Sequence, residues 1–150
     1  MTIVNDHPEE TLDAILKSDP KLSSKEVVVD VAKYGQPASD DSVDKTKAAL
    51  EENGHKVTVL ASKEEAFEFL KKLIPPKASV NNGHSTTLEE IGFISYLKTA
   101  TEWKNVHAEI LAEKDYAKQS ELRRTIGYTV DYYLSSASAI TETGDIVSVK

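Results

Sequence analysis

The sequence contains no cysteine. That absence removes disulfides, thiolate zinc sites, iron–sulfur clusters and cysteine nucleophiles together, and it fits a reducing cytoplasm. Nor does any stretch reach the ~18 consecutive apolar residues of a membrane-spanning helix. Cations are also short: 18 Lys and Arg stand against 25 Asp and Glu, giving a net charge of −7 and a pI near 5.1. Nucleic-acid surfaces need clustered Lys and Arg, and the one basic pair, Arg123–Arg124, is flanked by Glu121 and reads as a solvated helix face. Met1–Glu10 is acidic without an apolar centre, unlike a secretory leader. The expectation is a soluble cytoplasmic chain that engages neither nucleic acid nor membrane.

What is present suits one folded domain. The 150 residues are 39% hydrophobic and 29% charged, a globular balance with enough chain to bury a core. Residues 1–40 read as a lead-in. Within it, Pro8 could open a short helix carrying Leu12, Ile15 and Leu16, and Glu26–Lys33 fits either a strand or a helical face.

From residue 41 the pattern sharpens. Val43, Thr46, Lys47 and Leu50 have helical spacing from a start near Ser42, and Asn53-Gly54 supplies a stop. Val57–Leu60 reads as a buried strand. Ser62 with Glu65 matches a capping box ahead of Ala66, Phe69, Leu70, Leu73 and Ile74, and Pro75-Pro76 ends that helix. Ala78–Val80 then forms a second strand, so strand, helix and strand predict a parallel βαβ unit. Further on, the pattern predicts strands over Asn105–Leu111 and Asp131–Ser135 and a helix over Lys118–Thr125. Ala139–Val149 reads as a hairpin turning at Thr143-Gly144. Trp103, Tyr132 and Tyr133 read as packing residues rather than a stacking platform.

In open α/β sheets, ligands bind beyond the carboxyl ends of strands. Here that place is Asn81–Thr87. Gly83 offers close backbone approach, and Thr86 with Glu89 or Thr87 with Glu90 would cap a following helix. Ser85, Thr86 and Thr87 add hydroxyl donors for a phosphate or carboxylate. Neither a dinucleotide fingerprint nor a Walker lysine is present, and spacing alone favours the plain reading of a turn and a capped helix.

The stretch Leu73-Ile-Pro-Pro-Lys-Ala-Ser-Val-Asn-Asn-Gly-His-Ser-Thr-Thr-Leu-Glu-Glu-Ile-Gly-Phe93 resembles the signature of the lactate-utilisation (LUD) domain family. The resemblance continues through Trp103–Glu113, Glu121-Leu-Arg-Arg124 and Asp131–Val147, and upstream through Ala49–Val59. The LUD-like domain then takes in residues 1–150, with 41–149 as its matched core. The resemblance implies a mostly parallel sheet flanked by helices, like ribose-phosphate isomerases, glucosamine-phosphate deaminases and CoA transferases. It also implies that the glycine–serine loop, Asn82, Gly83, His84, Ser85, Thr86 and Thr87, holds a small anion; Ser135, Ser136 and Ser138 follow a later strand and could donate hydrogen bonds into the same pocket. His84 stands where the family often has a small residue, and Ser138 where many members carry Asn. The family commonly continues past the position of Lys150, so a shortened member lacking the later strands is expected.

By the same resemblance the chain is expected to be a non-redox accessory or ligand-binding component of L-lactate utilisation, partnered by iron–sulfur proteins and needing no cofactor itself. A stand-alone enzyme on a sugar phosphate or acyl-CoA, or a pure interaction module, are the rivals. Glu142, in Ile140-Thr-Glu-Thr-Gly144, is the one candidate catalytic carboxylate; otherwise it is a solvated hairpin residue. On a strand, His107 and Glu109 would share a face, as an acid–base pair or two thirds of a metal site, though an exposed polar edge is the favoured reading. With no third ligand at predictable spacing, no metal site is expected.

Overall fold

The computed structural model describes residues 2–3, 30 and 36–148. The expected helix carrying Leu12, Ile15 and Leu16 lies outside them, as does Glu26–Lys33 apart from Asp30. The chain divides into two compact units, residues 1–62 with 140–147 and residues 63–139 with 148–150.

In the first unit, helix α1 spans Asp40–Glu52. It starts two residues before Ser42 because Ser39 is the cap, its hydroxyl accepting from the Ser42 N–H at 3.2 Å. Asp40 and Asp41 sit in the first turn, where the helix dipole favours carboxylates. Leu50 is its buried anchor, and Asn53 closes it. Strand β1 (Thr2–Ile3) pairs in parallel with β2 (Val59–Leu60). The expected strand is thus present but short and not buried, since Val59 is 42% exposed.

A hairpin-like turn joins β6 (Ala139–Ile140) to β7 (Ile146–Val147), which pair with each other. Its backbone closes through Gly144 N–H to Thr141 O and Thr141 N–H to Asp145 O, both at 3.0 Å. The Asp145 carboxylate accepts from the Thr143 and Thr141 hydroxyls at 2.7 and 3.1 Å.

The second unit opens with α2 (Lys63–Leu73), which begins directly after Ser62 with Glu65 at its third position. Ala66, Leu70 and Ile74 form its buried stripe, four residues apart. Leu73, expected to join them, is 49% exposed. The sheet is three-stranded and parallel, in the order β4–β3–β5, with β3 (Ser79–Asn82) between β4 (Lys104–Asn105) and β5 (Tyr132–Leu134). Ser79 faces Lys104, and Val80 and Asn82 face Tyr132 and Leu134. The chain reaches β4 through α3 (Thr86–Glu90) and α4 (Phe93–Leu97), and β5 through α5 (Val106–Ala112) and α6 (Tyr116–Arg124). This is the α/β class read from the sequence, a parallel sheet flanked by helices.

Two expectations are corrected. Among the described residues, β2 pairs with β1 while β3 pairs with β4 and β5, so the described pairings do not join Val57–Leu60 and Ala78–Val80 as the expected βαβ unit. Asn105–Leu111 is not a strand: only Lys104–Asn105 is extended, and Val106–Ala112 is helical. The cause is local. The Asn105 side chain accepts from the Ala108 N–H at 2.9 Å, a helix cap, and Val106 and Ile110 then bury one face four residues apart.

Beside the sheet lies an aromatic cluster. Phe93 stacks on Trp103 at 5.7 Å, Tyr96 meets Trp103 edge-on at 5.7 Å, and Phe67 meets Tyr96 edge-on at 5.2 Å. Trp103 is buried, as expected, and its indole N–H donates to the Ile74 carbonyl at 3.3 Å. Lys71 caps the cluster over the Phe67 and Tyr96 rings. The Tyr96 hydroxyl donates to Glu102, which raises the phenol's pKa and lowers the carboxyl's.

Candidate functional site

The carboxyl end of β3 is where the sequence predicts a ligand. Asn81 and Asn82 belong to the strand, not the loop. Buried Asn81 has a structural task at both ends of its amide: its Nδ2 donates to the Gly127 carbonyl at 2.8 Å and its Oδ1 accepts from the Asn82 N–H at 2.9 Å. Asn82 donates from Nδ2 to the Gly83 carbonyl at 3.1 Å.

Gly83 continues the pairing with β5, its N–H donating to the Leu134 carbonyl at 2.9 Å. Its φ is not left-handed, so backbone freedom is not why glycine stands there. The reason is space: a Cβ would lie 3.1 Å from the Tyr133 hydroxyl and 3.2 Å from the Ser135 Oγ. Two hydroxyls therefore stand against bare backbone at the strand end.

Beyond Gly83, His84 is exposed and Ser85 is buried. The Ser85 oxygen accepts from the Leu88 N–H at 3.2 Å and caps α3. The capping positions expected at Thr86 and Thr87 are therefore displaced by one or two residues; Thr86 is the first residue of the helix itself and is exposed, while Thr87 is half-buried. Of the three serines after β5, Ser135 is the one in contact range of the Gly83 position. Ser136 is exposed, its carbonyl accepting from the Ser135 hydroxyl at 3.5 Å, and Ser138 is exposed.

His107 joins this end of the sheet from α5, which packs on β3. Burial first and the Arg123 charge second push its imidazole below the ordinary histidine pKa, with the Asn82 backbone acting in the opposite direction. The pairing with Glu109 does not form. On a helix, residues two apart diverge by about 200°, and Glu109 instead pairs with Lys104 at 3.1 Å.

Arg123 stands in the last turn of α6. Its carbonyl lies 2.4 Å from where a Cβ on Gly127 would be, so the chain turns tightly there into Tyr128. Tyr128 stacks on Tyr133 with centroids 6.0 Å apart and planes at 20°. The expectation that Tyr133 is a packing residue is corrected: Tyr128 and Tyr133 are 71% and 50% exposed. Gly83 thus meets the Tyr133 hydroxyl, Tyr133 stacks on Tyr128, and His107, on the helix that packs on β3, feels the Arg123 charge. Arg123 and Tyr128 escape a reading of the sequence because nothing in their local spacing ties them to Gly83. The helical cap at Asn105 is the signal that places His107.

Glu142 sits in the first unit, exposed, and its Oε1 accepts from the Ser42 hydroxyl at 2.6 Å. At the amino end of the sheet, Pro75, Pro76, Lys77, Ala78, Asp131 and Tyr132 line a groove of about 510 Å³. There the Asp131 Oδ2 accepts from the Ser79 hydroxyl and N–H at 2.7 and 2.8 Å, and the Asp131 N–H donates back to the Ser79 hydroxyl at 2.9 Å. These bonds hold the Asp131 carboxyl below its usual pKa. Among the described residues, no three His, Asp or Glu side chains gather as metal ligands, and no helix is long and apolar enough to cross a membrane.

A parallel sheet flanked by helices, with its loops gathered at the carboxyl end of the central strand, defines an open-sheet α/β domain. The profile of the LUD domain matches residues 43–150, well over half of the chain, and the chain belongs to that family. Comparison with curated proteins and with solved structures gave no match.

Proposed function

We propose that this chain is a non-redox, ligand-binding component of L-lactate utilisation, similar to lactate utilisation protein C, that holds a small anionic metabolite at the Gly83 loop. Membership of the LUD family supports the pathway. The observation that carries the site is the bare Gly83 backbone with the Tyr133 and Ser135 hydroxyls against it; the Arg123 charge is felt by His107 on the helix that packs on β3. Hydroxyl donors and one guanidinium suit a carboxylate or phosphate, because charge-assisted hydrogen bonds are the strong ones. A cysteine-free chain carries no iron–sulfur cluster, so electron transfer falls to iron–sulfur partner proteins in the same cytoplasmic compartment.

Calorimetric titration with L-lactate, pyruvate and a sugar phosphate tests this. A micromolar complex is expected for at least one of them, weakened about tenfold in Arg123→Gln and in Ser135→Ala. Equal binding by all three proteins would move the ligand elsewhere. A second reading, an enzyme acting on a sugar phosphate or acyl-CoA, draws support from His107, an imidazole held neutral beside the same loop and so able to accept a proton. Turnover by the isolated chain, abolished by His107→Asn, would favour it.

A further inference from the structure

We infer that the anion taken at Gly83 carries a flat ring, and that Tyr128 and Tyr133 are the wall on which this ring stacks. The inference rests on the loop-site reading above and narrows its ligand class.

The aromatic cluster of this unit is turned inward: Phe93 and Trp103 are buried, and Phe67 and Tyr96 close over them. The Tyr128–Tyr133 pair is different, because both residues are at least half exposed while their rings stack on each other. Open aromatic faces of this kind gain most from a further ring, and stacking is tolerant of which ring it is.

The position of the pair is fixed by the sheet rather than by a loose loop. Tyr133 faces Asn81 in the β3–β5 register, with its hydroxyl against Gly83. Tyr128 follows Gly127, which the buried Asn81 amide grips through its carbonyl and whose missing Cβ admits the Arg123 carbonyl. The Tyr133 hydroxyl therefore meets the loop while its ring stacks on Tyr128. Arg123, whose carbonyl packs at Gly127 just before Tyr128, is a cation carried on the same turn. Hydroxyls at Gly83 beside open rings fit a phosphate or carboxylate attached to an aromatic or heteroaromatic ring.

Calorimetry of the whole chain with phenyl phosphate and inorganic phosphate tests the inference. Phenyl phosphate should bind about tenfold more tightly. Tyr128→Ala should erase that preference, and a circular dichroism spectrum and melting transition like the native chain's should show the variant to be folded. Tyr128→Phe should retain it. Binding of both probes with equal affinity, or a preference that survives Tyr128→Ala, overturns the ring wall and leaves the loop site standing. Failure of both probes to bind overturns the anion site and the ring wall together.

Discussion

The Tyr133 hydroxyl stands 3.1 Å from the position a Cβ would take on Gly83, with the Ser135 Oγ at 3.2 Å beside it. Both neighbours are side-chain ends on exposed residues, so a single methyl can push them aside by a few tenths of an ångström. Gly83→Ala is therefore expected to fold, lowering the melting temperature by only about 2–4 °C. Gly83→Val adds two methyls where the hydroxyls sit and should abolish anion binding while still folding. Thermal melts beside calorimetry check this; full affinity in the valine variant would remove the close approach from the site.

Ser85 separates capping from binding. Its hydroxyl is buried and accepts from the Leu88 N–H, so it is committed to starting α3. Ser85→Ala should cost about 1 kcal/mol, or about 2–4 °C in melting temperature, and leave ligand affinity within about twofold. A large loss of affinity without a loss of stability would mean that Ser85 meets the ligand directly.

Legibility in the sequence follows the range of the forces. Helix ends set by a single side chain, such as Asn53-Gly54 and Pro75-Pro76, are readable, as is the Thr143-Gly144 turn. Asn105–Leu111 misleads because alternating apolar residues outweigh one capping asparagine, and the expected strand puts His107 on the wrong face. Asn81 reads as loop because its polarity hides a structural task, gripping the Gly127 carbonyl 46 residues away. The loop at Gly83 is legible as a place, but most of its surroundings are not. Ser135 is legible as a residue after a strand, whereas Tyr133 and Tyr128 come together through strand register and a turn at Gly127, and neither leaves a short-range pattern.

Two glycines of the first unit share a left-handed backbone but differ in surroundings. Gly54 has φ +87° with nothing within 4 Å of where a Cβ would stand, whereas at Gly144, φ +81°, a Cβ would lie 2.8 Å from the Ala49 carbonyl carbon. Alanine at Gly54 should cost about 1 kcal/mol, the backbone penalty alone. Alanine at Gly144 should cost clearly more, since a helix backbone cannot yield as a side chain can. Chemical denaturation of both variants tests the ranking, and equal costs would refute the close contact.

Acid should loosen the clasp between Ser79 and Asp131. The folded carboxyl titrates below its unfolded value of about 4. Its contribution is therefore present above the unfolded pKa and is lost as pH falls through the depressed folded one. Asp131→Asn should be less stable than the native chain near pH 7, and the gap should close toward about pH 2. Urea unfolding at the two pH values measures it; a gap independent of pH would show that the carboxylate charge plays no part.

For His107 the sign is the reverse of a salt-bridged histidine. Burial and the Arg123 charge both disfavour the imidazolium, while the Asn82 backbone favours it, and the net shift is downward. As pH falls through the unfolded value of about 6.5, the unfolded chain takes up a proton that the folded chain refuses, so folding stability declines until the folded pKa is reached. Nuclear magnetic resonance of the imidazole signals, assigned by their loss in His107→Asn, should give a His107 midpoint below the ordinary value. Arg123→Gln removes the second cause but not the first, so its midpoint should rise yet stay below that value. An anion bound beside Arg123 should act in the same direction, because negative charge near the ring stabilises the imidazolium. Saturating the chain with inorganic phosphate should therefore raise the midpoint in the native protein and raise it less in Arg123→Gln. A midpoint unmoved by both the substitution and phosphate would detach His107 from the Gly83 site and leave it a packing residue of α5.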